Sequence, residues 1–194
     1  EVNYTELKAR VAAWSHRTDL DALMPAFVEH AEARFNRDLR VRQMEADIAP
    51  TAINASNEIA VPTGFLAVKC LWPSASVGTF VAPQTVDTVK AQNRTSGPPT
   101  MYAVTSDALL FDGSGTVEMT YYEAIPGIVA GTSNWLSNAQ PDLYLHAVLA
   151  EVAAYTRDAQ AGALHDGKAQ MLIEQLNAND KRDRFSGRLQ ASKR

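Results

Sequence analysis

The apolar residues of this chain change spacing twice, from helical to strand-like and back, and these two switches limit the possible fold more than any single motif. From Thr5 to about Arg17, Leu7, Val11 and Trp14 share one helical stripe, with Thr5 as the expected N-cap. The capping-rich turn Thr18-Asp19-Leu20-Asp21 precedes Pro25, which suits a first helical turn. The second helix sets Met24, Val28, Ala31 and Phe35 in one row beside Phe27 and Leu39, with Glu29, Glu32, Arg34, Arg37 and Asp38 covering its polar side. After Gly131 the helical period returns. Gln140-Pro141-Asp142 starts a helix with Leu145, Val148, Leu149, Val152 and Tyr155 on its apolar face. A break near Gly162 leads to a last helix through Ala169, Leu172, Ile173 and Leu176, which is expected to end at Ser186-Gly187.

Between about Gln43 and Val129 the pattern is strand-like and rich in turn formers. Glu58 to Val61 and Phe65 to Trp72 flank Pro62-Thr63-Gly64, and Leu109 to Phe111 and Val117 to Tyr122 flank Asp112-Gly113-Ser114-Gly115, so two hairpins are predicted. Pro83 to Asn93 reads as a short helix, and Thr95 to Pro99 as a surface loop. None of the four helical stripes can be buried alone, so the N-terminal and C-terminal pairs must pack together. The expected fold is α+β: a four-helix body formed by N- and C-terminal helical hairpins, with a central antiparallel β insertion. Its parts are an N-terminal hairpin (1–42), a β insertion with a short helix (43–130), a C-terminal hairpin (131–187) and a basic flexible tail (188–194).

The residues point away from most chemistry. His16, His30, His146 and His165 lie on four separate segments and are read as not cooperating, so no metal site is expected. The chain lacks the G-x-S-x-G elbow, the phosphate-cradling Gly-Lys-Ser/Thr and the dinucleotide-binding G-x-G-x-x-G, so no catalytic residue and no cofactor is assigned. Glu58, Asp107, Glu118 and Glu123 keep open a carboxylate-based cell-wall hydrolase. Cys70, the one cysteine, sits in an apolar run and reads as a small buried hydrophobe in a reducing compartment. A soluble protein without a membrane span or signal peptide is expected. The net charge of −4 weighs against a nucleic-acid-binding module, although basic residues gather locally. Arg34, Arg37, Arg40 and Arg42 form one cluster; the second, towards the C-terminus, includes Arg184, Arg188, Lys193 and Arg194. These residues, with Trp135, are the candidate interface positions.

An ordered series of short motifs carries a resemblance. Tyr4-Thr5-Glu6-Leu7 with Trp14, Pro25-Ala26-Phe27 and Ala31 to Arg40 come first. Pro62 to Leu66, Pro98 to Tyr102, Thr120-Tyr121-Tyr122 with Ile125-Pro126, Asn134-Trp135-Leu136 and Pro141 to Leu145 follow. Together they resemble tailed-phage head-to-tail adaptor (connector) proteins of the tail tubular protein A type. The resemblance implies a non-enzymatic virion protein at the head–tail junction, forming a ring, usually dodecameric, below the portal. Its implied partners are the portal, further tail or nozzle proteins, copies of itself and, in passing, DNA. The basic tail is expected to order on docking.

Overall fold

The computed structural model describes residues 2–75, 79–92, 94 and 96–185. In chain order the elements are α1 (Tyr4–Ser15), α2 (Met24–Asp38), β1 (Glu45–Ala52), β2 (Glu58–Ala60), β3 (Phe65–Pro73), β4 (Ala82–Pro83) and α3 (Val86–Ala91). They continue with β5 (Met101–Val104), β6 (Ala108–Phe111), β7 (Thr116–Glu123), α4 (Trp135–Ala139), α5 (Pro141–Thr156) and α6 (Ala159–Phe185). The mixed helix and sheet content is α+β. The chain folds as two units: a helical unit, made of residues up to 43 and from 125 onward, and a β unit, Met44–Ala124.

In the helical unit, α5 is the hub. It packs against α1, α2, α4 and α6. Leu143, Tyr144, Leu145, His146, Ala147, Val148, Leu149 and Val152 are all buried, so α5 is covered almost all round rather than along one stripe. Each fully buried Leu or Val there contributes about 1.5–3 kcal/mol relative to exposure. The α2 row Met24, Val28, Ala31 and Phe35 is buried as its spacing predicts, and Phe35 meets Tyr144 edge to face at 4.9 Å.

Local chemistry shifts several boundaries. Asn3, not Thr5, caps α1, because its side chain accepts the Glu6 N–H at 3.0 Å; Thr5 is already helical. Trp14 leaves its predicted stripe and is 55 % exposed, whereas Leu7 and Val11 are buried. Tyr155 is exposed too. The break between α5 and α6 falls at Arg157, in the left-handed conformation, and Asp158, whose carboxylate accepts the Ala161 N–H at 3.0 Å. Gly162 therefore lies inside α6. α4 is an unpredicted fifth helix of this unit, started by a capping box in which Asn134 and Ser137 bond each other's backbone N–H. Ser186-Gly187, the tail 188–194, Asn93 and Thr95 lie outside the described residues.

Among the described residues the β unit has two sheets, in the orders β1-β7-β3 and β2-β6-β5-β4. This corrects both predicted hairpins. The turn at Pro62 to Gly64 forms, with Gly64 at φ +74°, yet β2 pairs with β6 and β3 with β7. The turn at Asp112 to Gly115 likewise carries the chain from one sheet to the other. A turn motif specifies reversal, while the partner is chosen by burial: Ile59, Leu71, Tyr102, Leu109, Phe111, Val117, Met119 and Tyr121 form one core drawn from both sheets. The insertion is also not wholly antiparallel. β4 runs parallel to β5 because α3 makes the crossover between them. β1, an edge strand that was not predicted, slips register between Ile48 and Thr51, where Pro50 has no N–H to offer.

Candidate functional site

Arginines on and just after α2 meet a polar stripe on α6. Arg34 Nη1 donates to Asp166 at 2.6 Å and its Nη2 to Gln170 Oε1 at 3.1 Å, while Nε lies 3.9 Å from Asp38. The Arg40 backbone N–H donates to Asn177 Oδ1 at 3.0 Å, and Asn177 Nδ2 returns a bond to the Asp38 carbonyl at 2.9 Å. Arg40's guanidinium donates to the Asn36 carbonyl at 2.7 Å and to that of Leu39. The Arg42 N–H and Nε both reach Asp180 Oδ1, at 3.1 and 2.9 Å, and Nη2 reaches Asp183 at 3.2 Å. Arg184 binds the other Asp180 oxygen. Residues 166, 170, 177, 180 and 184 recur at helical spacing on one face of α6, and Asp183 adds a contact beside it. Burial alone would raise the Asp180 pKa, but the hydrogen bonds from Arg184 and Arg42 outweigh it and hold the carboxyl below its ordinary range.

Arg34, Arg40, Arg42 and Arg184 are thus engaged within the helical unit. Arg37 differs: its side chain is 70 % exposed and pairs with the neighbouring Asp38 at 3.1 Å. It lines a groove of about 560 Å³ with His30, Arg34, Asp38, Glu151 and Asp166. Trp135, the first residue of α4, is half-buried and borders a cavity of about 170 Å³ beside Arg42, Leu176 and Asp180. Arg188, Lys193 and Arg194 lie outside the described residues.

One buried polar group of the unit contradicts its expected place. Glu32 is not on the polar side of α2; it is buried, and its Oε1 accepts the Ile128 N–H at 2.8 Å and the Tyr144 O–H at 3.2 Å. Burial pushes its pKa up, against the opposing pull of those two donors. Asn134 Nδ2 donates to the Tyr144 oxygen at 2.8 Å and to the Pro126 carbonyl at 2.6 Å, and Asn36 Oδ1 accepts the Ile125 N–H at 2.8 Å. This network fastens the segment from Ile125 to Asn134 onto α2 and α5. Gly127 lies close against that carboxylate: a Cβ there would sit 2.9 Å from Glu32 Oε2 and push the side chain aside. The signal was in the sequence: position 32 stands four residues after Val28 and three before Phe35, within the apolar row.

The histidines need a second correction. His146 and His165, nineteen residues apart and read as not cooperating, meet across α5 and α6 with their Nδ1 atoms 3.0 Å apart. Among the described residues, no group of three or more His, Cys, Asp or Glu side chains is placed to hold a metal ion. In the β unit the carboxylates kept open for hydrolysis are not gathered on one element. Glu58 is on β2, Asp107 lies between β5 and β6, and Glu118 and Glu123 are on β7, with Glu118 accepting the Trp72 indole N–H at 3.1 Å. Asp112, read only as a turn residue, is 1 % exposed. It accepts the Thr100 and Met101 N–H groups at 2.8 and 3.0 Å and the Arg94 guanidinium at 2.9 Å. It thereby pins the Pro98-Pro99 loop. Beside it, a Cβ on Gly113 would sit 2.8 Å from the Gly97 carbonyl oxygen.

Among the described residues no helix is long and apolar enough to cross a membrane. No curated protein matches the chain. A family model described as SU10 adaptor protein matches residues 2–192, and the chain belongs to this phage head-to-tail adaptor family.

Proposed function

We propose that this member of the SU10 adaptor family is a structural subunit that forms a dodecameric ring below the portal and joins it to the tail, with the genome passing through the lumen. The family match over nearly the whole chain carries the reading. The work is geometric rather than catalytic: ring closure, docking and passage. A closed ring of more than two copies needs two different complementary patches on each subunit. A charge contrast between the units supports such a pairing. The β unit carries eight acidic and three basic residues; the helical unit carries fourteen and fifteen.

In this reading α1, α2, α5 and α6 form the four-helix wall of the ring, and the β unit meets neighbouring tail or nozzle proteins. Arg37 and Trp135 stand at subunit or portal contacts, whereas Arg34, Arg40, Arg42 and Arg184 set the shape of the wall from within. Arg188, Lys193 and Arg194 are further docking contacts, and DNA is touched only in transit. The subunit is made in the host cytoplasm and resides at the head–tail junction of the virion. Mixing the purified chain with portal protein and viewing the product by electron microscopy tests this. The expected image is a ring seated on one face of the portal. A bare portal, with folded chain in excess, overturns the proposal, and peptidoglycan clearing or DNA binding that falls steeply with salt would then identify the replacement.

A further inference from the structure

His146 on α5 and His165 on α6 meet edge to edge. Their Nδ1 atoms are 3.0 Å apart, their centroids 5.2 Å apart, and their planes differ by 22°. The centroids are farther apart than the nitrogens by about two ring radii, so both nitrogens lie near the line joining the rings. Each therefore aims its proton or lone pair at the other ring. Two lone pairs would repel at this distance, two N–H groups would collide, and ligands of a common metal ion would converge on a point off that line. One Nδ1–H facing one bare Nδ1 satisfies the geometry.

We propose that His146 and His165 hold one shared Nδ1 proton and act as an acid-sensitive latch joining α5, α6 and Trp14 of α1. A first added proton goes to an outer Nε2 and leaves the N–H···N bond in place, strengthened by charge. A second puts hydrogens on both Nδ1 atoms and two like charges at contact distance, and the bond breaks. Trp14 senses this directly, because its ring lies edge-on to both imidazoles at 5.6 and 6.4 Å. It also forms one wall of a groove of about 360 Å³ with Leu149, Val152 and His165, so opening the pair reshapes that groove.

The charged surroundings favour a latch closed at neutral pH. Lys168, on α6, opposes protonation of both rings, and Asp142, on α5, favours protonation of His146. Arg17, after α1, lines the same groove but is paired with Asp19, and Asp158 sits on the groove between α5 and α6. Burial and then Lys168 hold both imidazoles below the ordinary histidine range.

The test uses the whole chain. Nitrogen NMR of the imidazoles at neutral pH is expected to show one protonated and one bare Nδ1 in the pair. On acidification, indole emission is expected to change at the second of the two protonations, before far-UV circular dichroism changes. Trp14→Phe abolishes that step, and so does His165→Asn, whose amide can replace one Nδ1 but cannot be protonated. Two bare or two protonated Nδ1 atoms in the native chain, or an unchanged emission step in His165→Asn, would overturn the proposal. The NMR readout on the native chain decides the matter even where the variant does not fold.

Discussion

Replacing Glu32 once with alanine and once with glutamine separates what its hydrogen bonds contribute from what its charge costs. Alanine removes the acceptor for the Ile128 N–H at 2.8 Å and the Tyr144 O–H at 3.2 Å. Both partner residues are 0 % exposed, so neither donor can turn to bulk water. An orphaned buried donor costs about 1–3 kcal/mol, and two cost about 2–6 kcal/mol before relief of the carboxylate's own burial is counted. A net loss of about 2–4 kcal/mol follows, or roughly 5–15 °C in Tm for a chain of this size. Glutamine keeps Oε1 as the acceptor and removes the charge, so its loss should stay below about 1 kcal/mol at pH 7. The pH dependence sharpens the contrast. Burial raises the Glu32 pKa, so the folded state holds this proton more tightly than the unfolded chain does. Its contribution to stability is fully present below the unfolded carboxyl value and is lost as pH rises through the folded one. Urea unfolding followed by circular dichroism at pH 5 and pH 8 reads both effects. Equal losses in the two variants, or a glutamine variant that keeps this fall in stability with pH, would refute the reasoning.

Asp112→Ala should destabilise the β unit by about 2–4 kcal/mol, since the Thr100 and Met101 N–H groups lose their acceptor; a shift in urea midpoint measures it. Asp180 and Asp112 are both held below the ordinary carboxyl range, so their contribution is present above the unfolded carboxyl value and is lost as pH falls through the folded one. Acid titration of Asp180→Asn should show a shallower loss than the native chain. Arg37→Glu should leave stability within about 0.5 kcal/mol, because the residue is exposed, while weakening ring or portal assembly in native mass spectrometry. Unchanged assembly would remove Arg37 from the contact.

The rows of apolar residues made α2 and α5 legible, as Met24 to Phe35 and Leu145 to Val152 show. Spacing alone could not say how many sides of α5 are covered, because that depends on α1 and α2, distant in sequence, as well as on α4 and α6. The β turns were readable and the pairings were not. Pro62 to Gly64 encodes a local reversal, whereas β3 finds its partner some fifty residues later through a shared core. The arginine run was visible as a cluster, but its partners Asp166, Asp180 and Asp183 lie on α6, and no local rule links them to α2. Glu32 was misplaced by assuming that a carboxylate faces water. The His146–His165 pair stayed hidden because a bend at Arg157 brings the two helices together.

The helical unit is assembled from both ends of the chain, and this sets a timetable for its synthesis. When α1 and α2 leave the ribosome, the helix that covers them has not yet been translated. The Phe27, Val28 and Phe35 side chains then wait through about a hundred further residues for α5. Meanwhile the strands of Met44–Ala124, whose pairings are all internal, are complete before α5 begins. The nascent chain therefore closes its middle before its ends, and a pause in translation before Pro141 prolongs the stage at which an uncovered α2 is open to chaperones or to aggregation.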